Sequence, residues 1–177
     1  MRRSLGRLAG ALLLLMLGLA AARADTHSLL RDDRDQPVAP SQLSGRWLLI
    51  SFGYTHCPDV CPTTLHRISA TLERLLQRGQ RVQGYFVSVD PDHDSPAQLH
   101  RFLAGVSPQV HGLTGSPAAL DDARRSFGVP TRRTGGGFDH GVFIYLVAPD
   151  GSVVETFHPS TSVAVLTRRI AARLEQR

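Results

Sequence analysis

"RWLLISFGYTHCPDVCPTTL" (residues 46–65) joins an apolar run to the only two cysteines in the chain, Cys57 and Cys61. "RWLLISF" (46–52) lies between Gly45 and Gly53 and is apolar at consecutive rather than alternate positions. That pattern predicts a strand buried on both faces. Beyond the cysteines, Leu65, Ile68, Leu72, Leu75 and Leu76 recur at helical spacing. Pro62 suits the first turn of that helix and Gly79 suits its end. The cysteines therefore stand where a core strand meets a helix.

The pattern extends outward from this junction. "RVQGYFVSV" (81–89) reads as a second strand. "SPAQLHRFLAGV" (95–106) opens with a capping Ser and a Pro and continues at helical spacing. A short helix is expected over 117–127. "GVFIYLVAPDGSVVETF" (141–157) is two strand-like runs joined by the turn Pro149-Asp150-Gly151. Val163, Leu166, Ile170 and Leu174 line one side of a terminal amphipathic helix. Residues 25–45 are polar and turn-rich, a lead-in with room for a short hairpin. A right-handed parallel βαβ unit followed by an antiparallel hairpin gives a central mixed sheet flanked by helices. This is the α/β layout of a thioredoxin-like domain, and the cysteines fall at the end of the sheet where α/β folds place their sites.

The chain has 177 residues, enough for one domain after a short leader. Residues 1–24 carry four Arg and no acid, then an uncharged run of 15 residues, "LAGALLLLMLGLAAA". "ARA" before Asp25 has the small-x-small pattern of a signal-peptidase site. The expectation is a signal peptide over 1–24 and one domain over 25–177. An uncleaved anchor in the inner membrane is the alternative, although the run is short of the roughly 20 residues a span wants. Export places the protein in an oxidising periplasm. The formal charge of +5 is largely the leader's, since the remainder holds 16 Arg against 15 acids. Such a balanced body gives no footprint for nucleic acid. Nothing resembles a nucleophile triad, a phosphate-binding loop or a dinucleotide fingerprint.

Three residues separate Cys57 from Cys61, so both sulfurs lie on one side of a helical turn. The helix N-terminus is expected to lower a thiol pKa. Pro58 and Pro62 each follow a cysteine and predict a stiff, extended, exposed loop. Three readings stand. A structural disulfide would close a very small loop, which stabilises least. Dithiol–disulfide exchange usually employs the shorter CxxC spacing. A metal is the third: two thiolates are incomplete for zinc, but Cu(I) accepts two thiolates and an imidazole, and Cu(II) the same set with an added oxygen.

A metal reading requires a histidine. His27 lies in the lead-in. His66 and His100 sit on expected helices, and His93, His111 and His158 in expected loops, where a solvated side chain is the default. His56 adjoins Cys57 but is expected to point away. His140 ends the Gly-rich stretch "GGGFDH", just before a core strand that runs beside the first one. Asp139 beside it could orient the imidazole. Asp90, Asp92 and Asp94 invite a hard-metal reading, but turn capping or solvation is the better expectation.

Three ordered segments together resemble the Sco/SenC family. "FGYTHCPDVCP" (52–62) is similar to its cysteine signature and "SVDPDHDSP" (88–96) to its S-x-D-P-x-x-D-[ST]-P segment. "FDHGVFIYLVAPDG" (138–151) is similar to its D-H ending, although Gly141 stands where the family usually has a small polar residue. The resemblance runs from about Gln36 to the C-terminus. It implies a thioredoxin-like fold in which Cys57, Cys61 and His140 bind copper. It further implies a metallochaperone that delivers copper to the dinuclear copper site of a cytochrome c oxidase subunit. An upstream copper donor or dithiol reductant would serve it, and the leader could associate it with the membrane. The alternative is a thiol–disulfide oxidoreductase in which Cys57 and Cys61 are the catalytic pair and reduce that subunit's cysteines. That role needs no His140.

Overall fold

The computed structural model describes residues 30–129, 131–134, 137–140 and 143–176; the leader expected over 1–24, and His27, lie outside them. Within 130–142 it describes the backbone of two strands and not their side chains.

A seven-stranded mixed sheet has the order β2-β1-β5-β4-β3-β8-β9. Its strands are β1 Leu30–Asp32, β2 Pro37–Val38, β3 Leu48–Gly53, β4 Gln83–Ser88, β5 Val110–Gly115, β8 Ile144–Val147 and β9 Val153–Phe157. β3 pairs parallel with β4, and β4 with β5; β8 joins β3 antiparallel and β9 joins β8 antiparallel. Five helices accompany the sheet among the described residues: α1 Pro40–Leu43, α2 Val60–Gln77, α3 Pro96–Val106, α4 Pro117–Ser126 and α5 Val163–Glu175.

Every residue of β3 is buried, the polar Ser51 included, as a strand covered on both faces requires. Alternation along the strand divides the core in two. Leu49 joins Leu65, Ile68 and Leu72 of α2, Leu99 of α3 and Leu166 and Ile170 of α5 on one face. Leu48, Ile50 and Phe52 join Val87, Leu113, Tyr145 and Leu120 of α4 on the other. Each fully buried Leu or Ile contributes about 1.5–3 kcal/mol, so the two faces lock β3 between them. Ser95, Ser116 and Ser162 cap α3, α4 and α5 by accepting from the backbone N–H three residues on. Gly79 follows α2 at φ +74°, a conformation that costs glycine no steric strain.

Several expectations need correction. β5 is a strand, so His111 lies on it rather than in a loop. Leu76 is 60 % exposed and belongs to the outer face of α2. The stretch before His140 is a hairpin, β6 Thr131–Thr134 paired antiparallel with β7 Gly137–His140, outside the main sheet. Cys61 is helical, in the first turn of α2, and not in an extended loop. Proline disfavours the helical region for its predecessor without closing it, and the N–H that Pro62 lacks would have no helical partner so near the N-terminus. No helix among the described residues is long and apolar enough to cross a membrane.

Candidate metal centre

β3 ends at Gly53, where Val89 N–H donates to Gly53 O at 2.8 Å and holds the exits of β3 and β4 together. The chain then turns: Cys57 N–H donates to Tyr54 O at 3.2 Å, and α2 begins three residues later at Val60. This brings Cys57 and Cys61 side by side as free thiols, Cys57 half-buried and Cys61 only 2 % exposed. Gly53 makes that burial sterically feasible. A Cβ there would lie 2.7 Å from Cys61 Sγ and 2.6 Å from Phe86 Cε2.

The expected easy ionisation is overturned for Cys61. Burial pushes its thiol well above the usual range, and its hydrogen bond to Cys57 adds to that. The Tyr54 backbone N–H works the other way, while Cys57 and Asp94 add repulsion against a thiolate. The end of α2 supplies a favourable dipole, but desolvation outweighs it. Only a thiolate is nucleophilic. Brief treatment of the folded protein with iodoacetamide near neutral pH is therefore expected to modify Cys57 and spare Cys61, read by peptide mass. Equal labelling of both would show that Cys61 is neither buried nor held protonated.

The second motif contributes a residue whose role the sequence did not indicate. Asp94 is fully buried, and its carboxylate accepts from Ser88 Oγ at 2.6 Å, Thr55 Oγ1 at 2.6 Å and Thr55 N at 3.2 Å. Burial raises its pKa against the opposing pull of those hydrogen bonds. Asp90 is also buried and bonds His93 Nδ1 at 2.8 Å, so of the three aspartates only Asp92 is exposed. The turn expectation holds for the backbone, since His93 N–H and Asp94 N–H both donate to Asp90 O. Solvation does not hold for Asp90 or Asp94.

The histidines are spread widely. His56, His66, His93, His100, His111 and His158 are all exposed. His56 rests against Thr55 Oγ1 at 3.2 Å. His140 is placed by its backbone: it closes β7 opposite Thr131, and Asp139 pairs with Arg132. β8 begins four residues later with Ile144 against Ser51, so the chain reaches β8 from the end of the sheet where β3 delivers the cysteines. The imidazole itself lies outside the described residues. Among the described residues, no three His, Cys, Asp or Glu side chains form a metal-ligating group.

A mixed sheet flanked by helices, with a cysteine pair where β3 gives way to α2, has the thioredoxin-like architecture. The chain belongs to the SCO1/SenC family, whose model matches residues 20–175. The SCO1 homolog 1 protein of Arabidopsis thaliana mitochondria is 33% identical over 162 residues, covering 88% of this chain and 48% of that protein. A protein of Stutzerimonas stutzeri described as a putative copper-binding protein is 35% identical over 144 residues, covering 78% of this chain and 71% of its own. The copper-bound crystal structure of Arabidopsis thaliana ScoI superposes with a TM-score of 0.80 at 32% identity, over 84% of this chain and 96% of that one. The chain spans 48 to 64% of the length of the mitochondrial relatives from Arabidopsis, mouse and zebrafish.

Proposed function

We propose that this protein is a copper metallochaperone. Cys57 and Cys61 take the metal as cargo, His140 completes a three-coordinate site, and the copper passes to the dinuclear copper site of a cytochrome c oxidase subunit. The carrying observation is the side-by-side placement of a half-exposed and a buried sulfur at the exit of β3. Soft thiolates with one imidazole suit copper, and the relatives described as copper-bound and copper-binding share this family and fold.

In this reading capture has an order. Cys57 is the accessible sulfur and meets the metal first. Cys61 then exchanges its proton for copper and draws the ion towards the buried side. Delivery reverses this: Cys61 regains its proton and lets go first, while Cys57 still holds the ion and a partner's thiolate joins it, so copper is never released to water. We place this activity in the periplasm, reached through the leader over 1–24 and carried by the body over 25–177. The leader is either cleaved after Ala24 or kept as an inner-membrane anchor.

An anaerobic Cu(I) titration of the reduced protein, run beside His140→Ala, tests the reading. One tightly bound equivalent is expected. Loss of His140 should weaken binding by more than about 10-fold, the lower figure for losing even a supporting residue of a metal site. Weak binding by the parent, or an affinity indifferent to His140, would transfer the case to a dithiol reductant working through Cys57 and Cys61 alone.

A further inference from the structure

We propose that Asp94 is a positioning residue for the cysteine pair, setting the thiol–disulfide equilibrium of Cys57 and Cys61 by clamping Thr55. This deepens the proposed function, because it takes that pair as the working centre.

Asp94 is held from three directions before its side chain does anything. It is the residue just before Ser95, the cap of α3. Its N–H donates to Asp90 O at 2.9 Å, and its carbonyl accepts from Thr114 Oγ1 of β5 at 2.8 Å. From this fixed base the carboxylate reaches Ser88 Oγ at the end of β4 and the Thr55 hydroxyl, both at 2.6 Å. Thr55 N–H points at both carboxylate oxygens, 3.2 Å from each. A buried carboxylate with three donors is a strong and directional anchor.

The clamp acts at the turn that presents Cys57. Cys57 N–H closes that turn on Tyr54 O, with Thr55 and His56 as its two central residues. Fixing Thr55 by both its backbone and its hydroxyl leaves that turn little freedom to adjust. Cys61 is fixed independently by α2 and by its burial. The gap between the sulfurs is thus set by two separate anchors, and Asp94 supplies one of them. Forming a disulfide requires the sulfurs to close to bonding distance with a restricted dihedral angle. A clamp that holds Cys57 in its dithiol position opposes that movement, and its removal favours the disulfide.

The test is equilibration of the full chain with glutathione. Protein dithiol plus glutathione disulfide yields protein disulfide plus two glutathione thiols, and trapped species are counted by mass. Thr55→Val keeps the N–H and deletes one hydroxyl. Asp94→Asn keeps the shape and removes one acceptor oxygen and the charge. Each is expected to shift the equilibrium constant towards the disulfide by about tenfold, which corresponds to about 30 mV for a two-electron couple. The double variant should shift it no further than the larger single change, because both act through one contact. A staple of purely structural value would lower Tm and leave the constant alone. Constants within twofold of the parent in folded single variants overturn the proposal, as do a shift towards the dithiol or additive effects in the double variant. Should Asp94→Asn fail to fold, Thr55→Val decides. Copper plays no part in this measurement, so a failed copper titration and a failed clamp are separate outcomes.

Discussion

Cys61→Ser is expected to weaken copper binding by more than about 100-fold, beyond the upper figure for losing a mere supporting residue of a metal site. The serine hydroxyl is a harder donor than a thiolate and a poor match for a soft ion. It also sits at a position only 2 % exposed, where an alkoxide would face greater desolvation than the thiolate it replaces. The fold should survive, since the hydroxyl is close in size to the thiol and can still accept from the Tyr54 N–H. Unchanged circular dichroism in the variant would separate lost ligation from lost structure. The pH dependence follows from the raised pKa of Cys61. A raised thiol pKa means the proton is retained through the neutral range and must be expelled by the metal. Affinity therefore rises with pH, about tenfold per unit for each proton displaced. Removing Cys61 removes one of those protons, so the variant's residual affinity should depend on pH less steeply than the parent's. Full-strength retention of copper by Cys61→Ser would end the metallochaperone reading.

What the sequence revealed and what it concealed divide along physical lines. β3 was legible because burial on both faces favours apolar residues at successive positions, and "LLISF" supplies four in five. α2 was legible from Leu65, Ile68, Leu72 and Leu75, all buried. The β8–β9 hairpin announced itself through Pro149-Asp150-Gly151. β5 escaped because "VHGLTG" interrupts its apolar positions with two glycines and an exposed His111. Gly112 is there for packing, since a Cβ would lie 2.6 Å from Leu99 Cδ2, yet in a sequence it reads as a breaker. The β6–β7 hairpin escaped because Arg132, Arg133 and three consecutive glycines resemble a loop. The site was half legible. The sequence placed both sulfurs at the strand–helix junction but not their unequal burial, because that is created by β3, Phe86 and α2 meeting in space. Asp94 was hidden for a related reason. An aspartate between two loop motifs looks solvated until the fold brings Thr55, which is 39 residues away, within 2.6 Å of it.

Gly53→Ala is expected to damage stability and copper binding together. The added Cβ would lie 2.6 and 2.8 Å from Phe86 Cε2 and Cζ and 2.7 Å from Cys61 Sγ, all well inside van der Waals contact. None of these neighbours yields easily. Phe86 is 1 % exposed within the core, and Cys61 is fastened to the first turn of α2. Overpacking of this kind costs about 1–3 kcal/mol, or about 2–12 °C of Tm for a body of this size. The strain can be relieved only by moving the ring, the strand or the sulfur, and the last two displace the ligand pair. A Cu(I) affinity lowered by at least about tenfold should accompany the lower Tm, since a site loosened by about 1 Å loses its fit. Gly105→Ala separates this from a general effect of replacing glycine. Gly105 lies inside α3, and a Cβ added there would meet no atom within 4 Å, so alanine should raise stability by about 0.5–1 kcal/mol and leave copper affinity untouched. If Gly53→Ala matched the parent in both Tm and affinity, β3 and α2 could part at no cost. The placement of Cys61 would then owe nothing to the missing side chain beneath it.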